Sequence, residues 1–245
     1  MLRSADELIG YRISATDSEI GKAADFLFDD NEWRIRHLVV DTGKWLSGRK
    51  VLLSPQSVSE PDWKRGAIPV SLSSEKIKNS PSIDADRPVS RQQELELFRY
   101  YAWTPYWDPG MLGPVPEPSG ISVPNKPGRV TENDDPHLRS VKSVQGYHVL
   151  ADDGEIGHIS DFVVEDENWI IRYAIVDTRN WLPGRKVLVS PWWFKEINWP
   201  RRKAMTDFKR EDIRNSPEYN PEYPVNREYE ELLYDYYGRP AYWSR

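Results

Sequence analysis

The stretch VVDTGKWLSGRKVLLSP, Val39 to Pro55, returns as IVDTRNWLPGRKVLVSP, Ile175 to Pro191. The match extends outward on both sides. Gly10 aligns with Gly146, an offset of 136, and the alignment runs without a gap to Trp107 against Trp243. Of these 98 positions 42 are identical, which makes the chain a duplication rather than a chain with one shared motif. The period is far longer than the roughly 20–50 residues of a solenoid repeat, so two tandem domains are expected. Between the copies lies Asp108–Asp135, with six Pro, four Gly and no aromatic residue. Such a segment buries too little apolar surface to offset the entropy of ordering it. The expected division is a first domain over 1–107, a linker over 108–135 and a second domain over 136–245.

Within one copy the pattern is mostly strand. Glu19–Asp29, Ile35–Thr42 and Lys50–Ser54 read as strands, with the Asp/Asn-rich turn DDNEW between the first two. In the second copy ADDGEIG places Asp153-Gly154 as a two-residue hairpin turn. Short strands with turns every eight to twelve residues suggest a small barrel or sandwich. SSEKIKNSP and KREDIRNSP read as single helical turns stopped before Pro. VSRQQELELFRYYAW reads as a longer helix. Ser90 can cap it with Gln93 completing a capping box, and Leu95, Phe98 and Tyr101 share one face.

The residues GxxxDF, an aliphatic run ending in VDT, and then WLxGRKVLxSP are similar to the PRC-barrel family. That family includes the cytoplasmic domain of the photosynthetic reaction-centre H subunit and a domain of the ribosome maturation factor. The resemblance covers roughly Glu7–Pro69 and Ser143–Met205, 63 residues per copy. It implies a mainly β fold: two tandem small antiparallel β-barrels, each followed by a short C-terminal helix. It implies no enzyme activity. In relatives the barrel is a docking module for a membrane complex or a ribosomal protein.

The repeated stretch has two readings. As a structural hairpin, Asp41 closes a strand, Gly48 supplies a positive φ, and Arg49 meets Asp41 across the base of the loop. Asp177, Gly184 and Arg185 repeat these parts. As an interaction surface, Trp45, Arg49, Trp181 and Arg185 stand partly exposed, since Trp and Arg are the types enriched at interface hot spots. The aromatic ends RYYAWTPYW and YDYYGRPAYW read as packing residues, with an aromatic patch for a partner or for self-association as the alternative.

Composition narrows the function classes. Hydrophobic residues make up 38% of the chain, with 11 Trp and 13 Tyr, so real cores can form despite a mean hydropathy of -0.71. The net charge of -6 argues against a nucleic-acid binder. The basic cluster Arg201, Arg202 and Lys203 reads as a turn. The absence of Cys removes disulfides and thiolate chemistry. No signal peptide and no membrane span are read, and a cytoplasmic location is expected. His148 and His158 flank the Asp153-Gly154 turn. A two-residue loop there would pair Val149 with His158 and place the two imidazoles on opposite faces, against a metal site. Asp29-Asp30 and Asp152-Asp153 fall in turns, and no phosphate loop, GxSxG or HExxH is present.

The sequence therefore reads as a non-enzymatic docking or assembly module without cofactors. Its partner is expected to be another protein, with self-association of the two copies or a homodimer. A ligand or metal sensor with a site between the repeats, and a ribosome- or RNA-associated factor, stay open as alternatives.

Overall fold

The computed structural model describes residues 1–82, 88–107, 137–178 and 185–244. In chain order the first copy forms β1 (Leu2–Ser4), α1 (Ala5–Leu8), β2 (Arg12–Ser14), β3 (Glu19–Asp29), β4 (Arg34–Asp41), β5 (Lys50–Leu53), β6 (Ala67–Pro69), α2 (Ser74–Lys78) and α3 (Arg91–Tyr101). The second copy forms β7 (Leu138–Ser140), α4 (Val141–Val144), β8 (His148–Ala151), β9 (Gly154–Glu165), β10 (Ile170–Asp177), β11 (Lys186–Val189), β12 (Phe194–Asn198), β13 (Lys203–Thr206), α5 (Arg210–Arg214) and α6 (Arg227–Tyr237). The fold is mainly β.

The helix ends follow local chemistry. Ser90 accepts the Gln93 N–H at its hydroxyl, and its own N–H donates to Gln93 Oε1 at 2.9 Å. This capping box satisfies two orphan amides at the start of α3. Leu95, Phe98 and Tyr101 on its inner face are buried. The helix stops at Ala102, which adopts a left-handed conformation.

The chain divides into two compact units: Met1–Gly10 with Asp25–Ile35 and Arg139–Arg245, and Tyr11–Ala24 with Arg36–Leu138. In the first, the strand order is β12-β13-β8-β9-β10-β11, with β1 antiparallel on β9. β13 and β8 run parallel. In the second, β2 pairs with β3 and, in parallel, with β6, while β4 pairs with β5.

Among the described residues the strands do not close into a barrel. The consecutive strands β11 and β12 do not pair, because the chain turns between them through Ser190 and a 3₁₀ turn at Pro191–Trp193. Proline at the start of that turn has no N–H to continue a ladder. Register shifts between Ile171 and Tyr173 and between Ile175 and Val176 bend the β9–β10 ladder.

Two glycines are fixed by close approach. A Cβ on Gly21 would lie 2.1 Å from the Asp41 carbonyl oxygen, and one on Gly157 would lie 2.0 Å from that of Asp177. Only glycine lets these backbones meet, which accounts for its recurrence four residues before each Asp-Phe pair.

The first unit draws its core from both copies. Phe28 stacks on Trp33 at 5.1 Å, and Trp33 packs against Phe162 and Trp199 at 6.2 and 6.4 Å. Phe26 packs on Trp169 at 6.1 Å. The backbone joins them reciprocally: the Ile35 N–H donates to the Trp169 carbonyl and the Ile171 N–H to the Trp33 carbonyl, both at 2.7 Å. Trp33 and Trp169 are equivalent in the duplication, and both have positive φ.

Candidate functional site

The repeated stretch leaves β4 at Asp41 and returns in β5 at Lys50. Asp41 does not pair with Arg49. Its carboxylate accepts the Gly43 N–H at 2.8 Å, a local turn bond favoured over reaching across the loop. The base of the loop is closed instead by Thr42, whose hydroxyl donates to the Arg49 carbonyl at 2.5 Å. Thr178 repeats this bond to Arg185 at 2.9 Å. Gly48 has φ +79° and the neighbouring Ser47 φ +53°.

The Arg49 guanidinium turns inward. It donates to the carbonyls of Lys78, Ser80 and Pro81 at 3.1, 2.7 and 2.9 Å, and to the Ser80 hydroxyl at 3.0 Å. The Lys78 carbonyl ends α2, where helix carbonyls lack partners and a cation is favoured, and Ser80 and Pro81 follow just after the helix. Arg185 likewise donates to the Ser216 carbonyl. So the duplicated GRK and the duplicated NSP are two halves of one bond set. Arg49 and Arg185 hold structure, whereas Trp45 is 38% exposed at the loop. Asp177 is buried at the end of β10. Trp181 and Gly184 lie outside the described residues.

Each copy also buries a glutamate that the sequence reading missed. Glu94 on α3 is fully buried. Its carboxylate meets His37 Nε2 at 2.7 Å and Arg91 Nη1 at 2.8 Å, and it accepts the Tyr106 hydroxyl at 3.1 Å. Arg36 lies over the Tyr106 ring at 3.9 Å, and Arg91 over Trp107 at 4.2 Å. In the second copy Glu230 accepts from Tyr173 at 2.8 Å and Tyr242 at 2.9 Å, and pairs with Arg227 at 3.1 Å. Arg172 covers Tyr242 and Arg227 covers Trp243, both at 3.9 Å.

Burial, then the neighbouring glutamate, pushes the Tyr106 phenol well above its ordinary value. Burial pushes Tyr173 and Tyr242 up in the same way. These hydroxyls therefore stay protonated and keep donating. A carboxylate met by two or three donors in a dry site is worth much more satisfied than broken. The cluster clamps the chain after each long helix back onto that helix and its sheet. The signal was present in the sequence, since Arg91, Glu94, Tyr106 and Trp107 all recur at the offset of 136.

The aromatic ends pack. Tyr101 and Trp103 are buried and stacked 4.2 Å apart, and Tyr237 is buried against Phe208 and Trp193. Trp192, Tyr223 and Leu232 are exposed. Arg201 and Arg202 turn the chain between β12 and β13.

The histidine register differs from expectation. Ala151 pairs with Gly154, so Asp152-Asp153 forms the turn, and a shift between Val149 and Leu150 brings His148 directly opposite His158. Cross-strand partners share a face. His148 is engaged by Glu155 at 2.8 Å. Among the described residues no group of three or more His, Asp or Glu is placed to hold a metal ion. Among the same residues no helix is long and apolar enough to cross a membrane.

The GxxxDF strand, the VDT end of β4 and the GRK return into β5 thus form one connected framework in the first copy. Residues 2–75 match the PRC-barrel domain family. A search of the curated proteins finds no significant match. The PRC-barrel match covers the segment from β1 into α2, so Trp45 and Arg49 lie inside it.

Proposed function

We propose that the chain is a non-enzymatic docking or assembly module built from two PRC-barrel domains, residues 1–107 and 136–245, joined by the 108–135 linker. The observation that carries this reading is the PRC-barrel match at 2–75, a domain type that generally mediates protein interactions. The second copy repeats that framework residue by residue through GxxxDF, VDT and GRK.

The partner is another protein. The contact residue best placed in the described part of the loop is Trp45, a large aromatic left 38% exposed while the arginine beside it is spent on internal carbonyls. Aromatic anchors of this kind supply interface energy at low entropic cost.

The test is capture from native lysate by the tagged full chain, beside the Trp45→Ala/Trp181→Ala chain. The captured protein is identified by mass spectrometry, purified and titrated against both chains. Binding that drops at least about tenfold for the still-folded double variant supports docking through these loops. Equal binding by both chains, or no defined partner, overturns it.

A further inference from the structure

Leu2-Arg3-Ser4 recurs unchanged as Leu138-Arg139-Ser140, and Asp25 and Asp30 recur as Asp161 and Asp166, all at the offset of 136. In the first compact unit these residues meet crosswise. Arg3 Nε donates to Asp166 Oδ2 at 2.8 Å, the Ser4 hydroxyl donates to Asp161, and the Asp6 N–H donates to Asp161 Oδ1 at 3.2 Å. In the opposite sense Arg139 Nε donates to Asp30 Oδ2 at 2.7 Å, the Ser140 hydroxyl to Asp25, and the Lys142 N–H to Asp25 Oδ1 at 3.2 Å.

The opening segment of each copy is therefore held by the carboxylates of the other copy. Ala5 and Leu8 on one side, and Val141 and Val144 on the other, are buried. Each serine also caps its own short helix, accepting the Glu7 or the Ser143 N–H. The same hydroxyl thus orders its segment locally and ties it to the opposite copy.

We infer that a second copy of this chain is a partner for this surface: two chains self-associate by exchange, with Leu2-Arg3-Ser4 of one chain seated on Asp161 and Asp166 of the other. A contact in which each side carries both the donor triplet and the acceptor pair is self-complementary, the property that closes a symmetric dimer. Nothing in the contact distinguishes a first copy on the same chain from one on another. The choice is set by effective concentration across the linker, so exchange grows with protein concentration. This inference is independent of the docking reading.

The chain has no cysteine, so introduced thiols are unambiguous. Leu2 lies directly opposite Glu165 in the β1–β9 ladder. The adjacent Met1–Asp166 pair is bonded through the Asp166 N–H at 2.9 Å. Leu2 and Glu165 are thus a non-hydrogen-bonded pair, with Cα atoms about 4.5 Å apart and within disulfide reach. Full-length Leu2→Cys and Glu165→Cys chains are unfolded, mixed, refolded at rising concentration and oxidised. The reference mixture replaces Glu165→Cys with a chain carrying Glu60→Cys at an exposed site. A disulfide between chains joining positions 2 and 165 is expected at about fivefold or more over the reference, rising with concentration. A level no higher than the reference, while a Leu2→Cys/Glu165→Cys chain closes within itself, overturns exchange. If that doubly substituted chain does not close either, the pairing itself is absent and the inference falls with it.

Discussion

His37 Nε2 lies 2.7 Å from Glu94 Oε1, and at the equivalent place in the second copy the Tyr173 hydroxyl donates to Glu230 Oε1 at 2.8 Å. Two different side chains thus complete the same buried glutamate site. The remaining parts are unchanged: an arginine three residues earlier on the helix, and the tyrosine and tryptophan that follow it. His37 carries a second ring nitrogen, Nδ1, which is buried without a hydrogen-bond partner.

Removing the carboxylate should cost far more than removing one donor. Glu94→Ala leaves Arg91, His37 and Tyr106 facing a dry void, and a loss of roughly 3–5 kcal/mol is expected. Glu230→Ala should cost a similar amount. His37→Phe removes one donor of three and should cost about 1–3 kcal/mol. Urea unfolding of the full chain measures all three. A loss below about 1 kcal/mol for Glu94→Ala would show that the cluster does not hold the tail.

Arg49 and Trp45 should separate sharply in the same assay. Arg49→Ala leaves the Lys78, Ser80 and Pro81 carbonyls without their donor, and about 1–3 kcal/mol should be lost. Trp45→Ala, at an exposed position, should stay within about 0.5 kcal/mol of wild type. The reverse order would make the loop's tryptophan, not its arginine, the structural element.

Gly21→Ala tests the close approach of β3 to the end of β4. The added methyl would meet the Asp41 carbonyl oxygen at 2.1 Å, and backbone cannot yield as a flexible side chain does. A loss above about 3 kcal/mol, or failure to accumulate folded protein, is expected. Gly48→Ala offers a contrast: open space surrounds its Cβ position, and the positive φ alone should cost about 1 kcal/mol. Comparable stability of the two variants would contradict the steric account.

Local chemistry was legible in the sequence and partner choice was not. Ser90, Gln93 and the apolar face of α3 are set by neighbours three or four residues away, so the helix and its cap follow from pattern alone. The strand spans of β3, β4 and β5 follow from their aliphatic runs. The expected contact of Arg49 with Asp41 does not form because the acceptors of Arg49 lie about 30 residues on, from the end of α2 to Pro81, and nothing local marks them. The hairpin at His148 differs because the turn falls on Asp152-Asp153 and one extra residue at Ile156 then shifts the ladder, and a bulge leaves no composition signal. Glu94 looks like a surface residue in a charged helix, yet its recurrence with Arg91, Tyr106 and Trp107 marked it. The crosswise seating of Leu2-Arg3-Ser4 was likewise written in duplicated residues that precede Gly10 and Gly146.

Asp161 gives that seating a pH dependence. Burial raises its carboxyl from 3.8 to about 6, against the lowering effect of the Ser4 hydroxyl and the Phe162 and Asp6 amides. A folded value above the unfolded one means that folding favours the protonated form. Its contribution is complete below about 3.8, declines as pH rises, and is gone above about 6. The shift corresponds to roughly 3 kcal/mol at most, less the screening at a site that is not wholly dry. Asp161→Asn presents a neutral amide at every pH and keeps an acceptor for the Asp6 N–H. The variant should therefore be most favoured relative to wild type at pH 7.5, and that advantage should shrink steadily on acidification to pH 4.5. Thermal unfolding of the two full-length chains across this range measures the difference directly. Parallel curves from pH 4.5 to 7.5 would show that Asp161 does not titrate with folding, and that the Ser4 contact is indifferent to its charge.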